Sequence, residues 1–296
     1  MTESNDRPWL AAYPAGIPFD IDPSTYPSLP SILDQAAERH PDHPAYVNLG
    51  VALTYREAAD LTKHFAAYLQ SLDLEPGDRV AIMMPNLLQY VVTLFAVMRA
   101  GFIVVNINPL YTSREVHQTL RDSGAKAAVI IENFARTFER ALPDTSCKHV
   151  VVTAVGDLFP FVKRTLVNFV VKRVKKMIPA YHLPQAVSFR EALEIGRRTG
   201  FRPHEINAED IALLQYTGGT TGIAKGAELT HRNVISNILQ VNAWISQTFK
   251  EGEEVVLTAL PLYHIFSLTA TLVFTKWAST MVLITNPRDV DGLAKE

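Results

Sequence analysis

The sequence is poor in cysteine and has no excess of either charge, and both features exclude classes of protein. Its 296 residues include one cysteine, Cys147, which excludes an intrachain disulfide and a cysteine metal cluster and fits a reducing compartment such as the cytoplasm. The 28 lysines and arginines nearly balance 30 aspartates and glutamates, so we expect no nucleic-acid partner. Glycine (14) and proline (18) are too sparse for a fibrous or low-complexity protein. The polar, acidic N-terminus shows no secretion signal.

A membrane-spanning helix is also not expected. Residues 255–275 carry no charge and form a run long enough to raise the question of a span. Pro261 and His264 lie near the middle of this run, with serine and threonine around them. A buried strand, a short turn at Pro261 and a buried helix account for the same residues without lipid.

Short apolar runs alternate with longer helical segments along the chain. Capping boxes begin helices at Thr54, Thr112 and Ser188, and Asn86 is expected to cap another helix. The predicted strands cover residues 79–84, 103–107, 127–131, 150–155, 210–216, 255–260 and 280–285. This alternation predicts an α/β fold with a largely parallel sheet covered by helices.

The chain is expected to divide into two α/β subdomains, 1–200 and 201–296. The stretch 199–209 contains glycine, proline and asparagine and is typical of a connection. Residues 289–296 read as the start of a helix with barely two turns, which is marginal in water on its own. We therefore expect the natural polypeptide to continue and the second subdomain to be incomplete.

A basic amphipathic segment lies within residues 158–190, where no acidic residue occurs. At 100° per residue, one broad apolar face and a mostly basic opposite face are predicted. The apolar face comprises Val162, Leu166, Phe169, Val170, Val174 and Met177, and the basic residues are Lys163, Arg164, Lys172, Arg173, Lys175 and Lys176. Two interpretations stay open: peripheral contact with an anionic membrane through 158–178, or a surface helix docked by its apolar face.

The segment that carries chemistry is 214–226, LQYTGGTTGIAKG. Its glycines allow consecutive N–H groups to face an anion, its threonines add hydroxyl donors and Lys225 adds a mobile positive charge. This composition predicts a polyphosphate site, because a plain turn has no need of three threonines and a lysine. It is not a Walker A loop, since Ala224 and Gly226 flank Lys225 where that motif has glycine and serine or threonine.

The segment 216–226, followed by LTHRN at 229–233, resembles the phosphate loop of the adenylate-forming (AMP-binding) enzymes. These include acyl-CoA synthetases, luciferases and nonribosomal peptide adenylation domains, and the chain most resembles bacterial long-chain fatty-acid–CoA ligases. Supporting stretches are 83–90, 99–101, 104–111, 259–266 and 285–289. The resemblance extends over nearly the whole chain and implies the N-terminal, incomplete part of a fold with two packed, mostly parallel sheets covered by helices.

The resemblance also implies a reaction and a set of site residues. A long-chain fatty acid would attack the α-phosphorus of Mg-ATP, and the thiol of coenzyme A would then displace AMP from the acyl-adenylate. Lys225, Thr217 and His264 are the implied catalytic residues, with the hydroxyls of Thr220 and Thr221 assisting Lys225. The implied phosphate-binding residues are Tyr216, Thr217, Gly218, Gly219, Thr220, Thr221, Gly222, Lys225 and Gly226.

His264 belongs to a second implied segment, 261–266, which the family places beside the acyl site. It could line the pocket or donate to the carboxylate, or it could be a locally satisfied residue at a helix start. Phe266, Leu268 and Leu272 are candidate walls of an acyl tunnel, with core packing as the alternative.

The family's metal-binding acidic residue, ribose-binding aspartate and C-terminal lysine are expected beyond residue 296, so no metal ligand is assigned. We expect little or no ligase activity from residues 1–296 alone. The chain is expected in the cytoplasm, with peripheral contact at the inner face of the membrane as an option, and an oligomer stays open. Two other hypotheses are a non-catalytic nucleotide- or acyl-binding remnant and a ligase for another carboxylic acid.

Overall fold

A computed structural model describes residues 7–217 and 224–289 as helices packed on two β-sheets. The larger sheet has the strand order β7-β6-β5-β3-β4-β8-β9. Its strands are β3 (Arg79–Met83), β4 (Ile103–Asn106), β5 (Ala127–Ile131), β6 (His149–Thr153), β7 (Ala186–Ser188), β8 (Ile211–Thr217) and β9 (Lys225–Thr230). All neighbouring pairs in it are parallel except β8 and β9, which are antiparallel.

The smaller sheet has the order β10-β11-β1-β2. It consists of β1 (Pro44–Asn48), β2 (Val51–Thr54), β10 (Val255–Thr258) and β11 (Thr280–Leu283). The β10/β11 and β11/β1 pairs are parallel and the β1/β2 pair is antiparallel. The predicted fold class, two mostly parallel sheets covered by helices, is therefore confirmed.

Nine α-helices connect and cover these strands within the described residues. They are α1 (Leu29–Arg39), α2 (Tyr55–Gln70), α3 (Leu88–Arg99), α4 (Ser113–Ser123), α5 (Ala135–Ala141), α6 (Phe161–Phe169), α7 (Phe189–Thr199), α8 (His231–Ile245) and α9 (Ile265–Lys276). Short 3₁₀ turns occupy 8–12, 23–25 and 132–134, and α6 continues as a π-helical turn over 170–174.

Helix α3 shows how the two sheets are joined. All of its side chains are buried, because it packs on β3 and β4 of the larger sheet and on β1 of the smaller one. A helix that is apolar on every side requires such an environment. Both sheets also combine strands from either side of residue 200, through β1 with β11 and through β4 with β8. The division into subdomains 1–200 and 201–296 stays a prediction.

Helix caps predicted from the sequence are confirmed where the capping bond joins residues close together in the chain. Thr54 and Thr112 form the predicted capping boxes, and Ser188 accepts the Glu191 N–H at 3.2 Å. The predicted cap at Asn86 is wrong: α3 begins at Leu88 with Leu87 as its N-cap, because the Asn86 amide bonds the backbone of a distant turn.

The uncharged run 255–275 divides into β10, a turn and α9, as predicted, but β10 is not a buried strand. It ends the smaller sheet within the described residues, and the side chains of Val255 and Leu257 are 71% and 53% exposed. Among the described residues, no helix is long and apolar enough to cross a membrane.

The amphipathic segment docks by a different face from the predicted one. Val167 and Val171 pack against the main core, and Lys163 donates to the carbonyl of Leu49. The predicted apolar face points outward instead, with Val162 at 77% and Leu166 at 61% exposure. The helix therefore has two apolar sides. The narrower one, with Val167 and Val171, packs against the core, and the broader one stays exposed.

Candidate active site

The phosphate-loop motif connects the two strands of a β-hairpin. In the β8/β9 register, Thr217 lies opposite Lys225 and Tyr216 lies opposite Gly226. Both Thr217 and Lys225 have exposed side chains, so a hydroxyl donor and a positive charge lie at the two ends of the motif. The remaining predicted phosphate ligands lie outside the described residues: Gly218, Gly219, Thr220, Thr221 and Gly222.

Strand β9 was not predicted from the sequence, although it fixes the position of Lys225. The alternation of apolar and polar residues over 225–230 is weak, since Ala227 is exposed and Leu229 only partly buried. The strand forms because β8 offers an open edge, which is a property of the assembled sheet. A glycine-rich turn after a strong strand is the only signal that pointed toward a hairpin.

The ring of Tyr216 lies against Gly226 across the hairpin, which accounts for a glycine at this position. A Cβ at residue 226 would lie 3.1 Å from Cζ and 3.2 Å from Cε2 of the Tyr216 ring. The Tyr216 hydroxyl donates to Asp122 Oδ2 over 2.5 Å, and burial raises the pKa of the phenol, which keeps the donor protonated. Tyr216 thus anchors the base of the hairpin to α4, and its contact with a nucleotide stays a prediction.

The position of the hairpin in the sheet favours a ligand. Strand β8 runs parallel to β4, so the motif leaves the sheet at the carboxyl edge of the parallel strands. Ligands in open α/β sheets bind outside this edge. Beyond β9, Thr230 caps α8 through a bond from Asn233 N–H at 3.1 Å, which fixes the second arm of the hairpin.

The segment 261–266 lies next to β8. Gln215 Nε2 donates to the carbonyl of Tyr263 over 3.0 Å, which brings the residue before Tyr216 into contact with the residue before His264. His264 stands at the N-cap of α9, where its side chain makes no capping bond to the described helix. Its ring is exposed and lies 4.7 Å from the ring of Tyr263, centroid to centroid. Its predicted contact with a carboxylate stays a prediction.

An apolar groove of about 190 Å³ runs between β10 and α9. Phe266 lines it and is 72% exposed, which agrees with its place as a candidate wall. Leu268 and Leu272 are fully buried in the main core, so for these two the core-packing alternative is correct. The further apolar lining comes from Val256, Leu257, Ala259, Leu260, Ala270 and Phe274, and hydroxyls come from Thr258, Ser267 and Thr271.

Other titratable groups do not assemble into a site in the described part of the chain. No group of three or more histidine, cysteine, aspartate or glutamate side chains there could hold a metal ion. His40 pairs with Glu251 at 3.1 Å, whereas His43 contacts Thr280. Burial raises the pKa of the Cys147 thiol to about 12, which makes it a poor nucleophile.

Comparison with known proteins agrees with this geometry. The family model described as "AMP-binding enzyme" matches residues 33–296. The long-chain-fatty-acid–CoA ligase of Salmonella typhimurium is 53% identical over 290 residues, which are 97% of this chain and 52% of that protein. The ligase of the same name from Bacillus subtilis is 37% identical over 285 residues, covering 95% of this chain and 50% of that one. The chain spans about half the length of the curated relatives it matches.

A solved structure has the same fold. The long-chain-fatty-acid–CoA ligase of Archaeoglobus fulgidus superposes with a TM-score of 0.72 at 24% identity, over 96% of this chain and 51% of that one. An anthranilate–CoA ligase in complex with anthranoyl-AMP superposes with a TM-score of 0.70 at 20% identity, over 90% and 47%. These two similarities show the fold alone. Together with the family model and the more than half-identical relatives, they confirm the resemblance drawn from the motif, and the chain belongs to the AMP-binding enzyme family.

Proposed function

We propose that this chain provides the phosphate loop and part of the acid site for ATP-dependent activation of long-chain fatty acids to acyl-CoA. The observation that carries the proposal is the contact between Gln215 and Tyr263, which joins the strand of the phosphate loop to the segment of His264. Because Phe266 of the same segment lines the apolar groove, we propose that the groove and the phosphate loop belong to one site. The names of the relatives support a fatty acid as the substrate.

The proposed chemistry has two steps. A carboxylate oxygen bonds to the α-phosphorus of ATP while the bond to pyrophosphate breaks, and the leaving group takes both electrons. The sulfur of coenzyme A then attacks the acyl carbon, loses its proton and expels AMP. Lys225 and the Thr217 hydroxyl would neutralise charge that grows on the departing pyrophosphate, an effect that preorganised donors exert strongly in enzymes.

Mg²⁺ is proposed to enter as the complex of ATP, which makes it part of the substrate. Since residues 7–217 and 224–289 contain no group of three or more potential ligands, we assign no protein ligand to it. His264 is proposed to face the carboxylate at the mouth of the groove, because its exposed ring makes no bond to the cap of α9.

The apolar groove is proposed to take the first part of the acyl chain. Seven of its ten lining residues are aliphatic or aromatic, and each methylene that it buries contributes about 0.8 kcal/mol. Thr258, Ser267 and Thr271 contribute hydroxyls, but the lining has no charged side chain, which favours an aliphatic acid over an amino acid. A remnant that binds without turnover stays the second candidate, because the chain spans about half of its relatives.

The outward face of α6 and the turn after it is proposed to contact an anionic membrane, the source of the acid. Val162, Leu166, Phe169, Val174 and Met177 are between 53% and 77% exposed on this face. Exposed basic side chains follow directly, at Lys172, Arg173, Lys175 and Lys176. Apolar side chains entering the headgroup layer, together with nearby lysine and arginine, are the features by which interfacial helices bind anionic lipid.

Vesicle sedimentation tests this contact. We expect the chain to sediment with vesicles that contain phosphatidylglycerol and to stay in solution with phosphatidylcholine alone, and high salt to release it. The double variant Leu166→Ser, Phe169→Ser should lose binding, whereas Leu257→Ser, an equally exposed leucine elsewhere, should retain it. Equal binding by all three proteins would contradict the proposal.

The proposed activity is tested in a fusion. Residues 1–296 replace the matching half of the Salmonella typhimurium ligase, and adenylate formation is measured by pyrophosphate release with palmitate, hexanoate, benzoate and amino acids. We expect palmitate to give the highest rate. A preference for another acid would overturn the fatty-acid assignment, and a folded fusion that binds palmitate without turnover would favour the remnant.

A further inference from the structure

A cluster of buried polar side chains holds the turn that carries His264. Asn86, between β3 and α3, is 2% exposed. Its Nδ2 donates to the carbonyls of Thr258 at 3.0 Å and Leu260 at 2.9 Å, and its Oδ1 accepts the Leu262 N–H at 2.8 Å. One side chain thus satisfies three backbone groups of the turn 258–264.

Two more side chains bond the same turn from other elements. The Tyr90 hydroxyl on α3 lies 2.8 Å from the carbonyl of Leu262 and 2.7 Å from Asn106 Oδ1. Gln215 on β8 donates to the carbonyl of Tyr263 at 3.0 Å and accepts from Asn106 Nδ2 at 3.3 Å. We refer to the side chains of Asn86, Tyr90, Asn106 and Gln215 as the buried polar cluster.

Burying this many polar side chains around one turn is costly in free energy, which indicates that the position of the turn matters. Residues 259–264 form no helix or strand, and Leu262 and Tyr263 are the buried residues among them. The Leu262 N–H and the carbonyls of Leu262 and Tyr263 take their partners from the cluster. A buried amide is unfavourable unless its bonds are made, and aliphatic residues fill such positions at lower cost. Tyr90 on α3 and Gln215 on β8 bond the carbonyls of the two residues that precede His264, Leu262 and Tyr263.

We propose that Asn86 and Gln215 are positioning residues that hold the turn 258–264 at a fixed place relative to the phosphate-loop strand. Asn86 fixes the shape of the turn, and Gln215 fixes its distance from Thr217, two residues further along β8. The consequence for acid activation rests on the proposed function. The positioning itself does not, because it concerns hydrogen bonds within this chain.

The chain offers a matched control three residues after Asn86, in the first turn of α3. Gln89 is fully buried, and its Nε2 donates to the carbonyls of Ala154 at 2.9 Å and Val155 at 3.2 Å. It has the same amide chemistry and the same burial, but it holds the backbone that follows β6. A variant at Gln89 therefore reports the general cost of losing a buried amide.

Hydrogen–deuterium exchange on the chain 1–296 tests the proposal in Asn86→Ala, Gln215→Leu and Gln89→Leu. We expect amide exchange of peptides within 259–266 to rise at least about tenfold in the first two variants. Asn86→Ala removes the acceptor of the Leu262 N–H, and Gln215→Leu removes the bond that ties the Tyr263 carbonyl to β8, so the turn opens more readily. In Gln89→Leu the rise should occur near 154–157 instead. Unchanged protection of 259–266 in the first two variants, or an equal loss of it in Gln89→Leu, would overturn the proposal.

Two further measurements keep the test independent of folding and of activity. In the wild-type chain, the Leu262 amide should exchange slowly by NMR, and fast exchange would refute the proposal without any variant. The imidazole resonances of His264 should shift in Asn86→Asp and Gln215→Glu and stay in place in Gln89→Glu. A wild-type fusion that fails to activate palmitate, while the exchange and His264 signals behave as expected, would count against the proposed function alone.

Discussion

His231 makes the stability of this fold depend on pH in a direction that can be calculated. The side chain is 2% exposed at the start of α8, and its Nδ1 accepts the Leu29 N–H over 3.1 Å. Burial lowers the pKa of the imidazole to about 4 from 6.5, with a smaller opposing effect from Asp210. The neutral ring is required, because a protonated Nδ1 could no longer accept from α1.

The sign and size of the effect follow from proton linkage. The unfolded chain, with an imidazole pKa of 6.5, binds a proton more readily than the folded chain, so stability is lost as the pH falls from about 6.5 toward about 4. Between pH 7 and pH 5 the expected loss is about 2 kcal/mol of the free energy of unfolding, and it approaches about 3 kcal/mol near pH 4.

Urea unfolding at pH 7 and pH 5 measures this loss in wild type, His231→Asn and His117→Asn. Asparagine has an oxygen that can accept the Leu29 N–H but does not titrate, so His231→Asn should lose most of the difference between the two pH values. His117 is the control, since its Nδ1 faces the carbonyl of Ala141 at 2.9 Å and that contact survives protonation. The same pH dependence in wild type and His231→Asn would show that the buried His231 imidazole is not its source.

Two other predictions concern packing. Gly196→Ala should lower the free energy of unfolding by about 3 kcal/mol in urea, because the new Cβ would lie 1.8 Å from the carbonyl oxygen of His64 on α2. This oxygen belongs to the backbone of a helix, which cannot easily move away. A change below about 0.5 kcal/mol would contradict the close crossing of the two helices. Cys147, whose pKa is raised to about 12 from 9.0 by burial, should react with a disulfide reagent roughly a thousandfold more slowly in the folded chain than in urea. Comparable rates in the two states would show that the thiol is accessible.

The parts of the fold that sequence reasoning predicted depend on neighbours along the chain. Thr54 and Thr112 cap their helices through residues three positions away. The buried strands of the larger sheet are continuous apolar runs, as parallel strands covered on both faces must be. The phosphate-loop motif was recognisable because its chemistry is concentrated in one short segment.

The parts that escaped prediction depend on distant partners. Asn86 has the sequence of a helix cap, yet its amide is engaged by a turn more than 170 positions away. Strand β9 forms on the open edge of β8, and the outward face of α6 results from docking through Val167 and Val171. The grouping of β1 with β11 likewise joins the two ends of the described chain, which no local pattern indicates.

The most direct test of the account is the effect of Lys225 on adenylation in the fusion with the Salmonella typhimurium ligase. Lys148 is the matched control, because it is an exposed lysine that directly precedes β6. It therefore lies at the amino ends of the parallel strands, whereas the phosphate-loop hairpin lies at their carboxyl ends. We predict that Lys225→Ala lowers palmitate-dependent pyrophosphate release roughly a hundredfold with little change in melting temperature, and that Lys148→Ala leaves the rate unchanged. Undiminished pyrophosphate release by Lys225→Ala would contradict the assignment of this hairpin as the phosphate site.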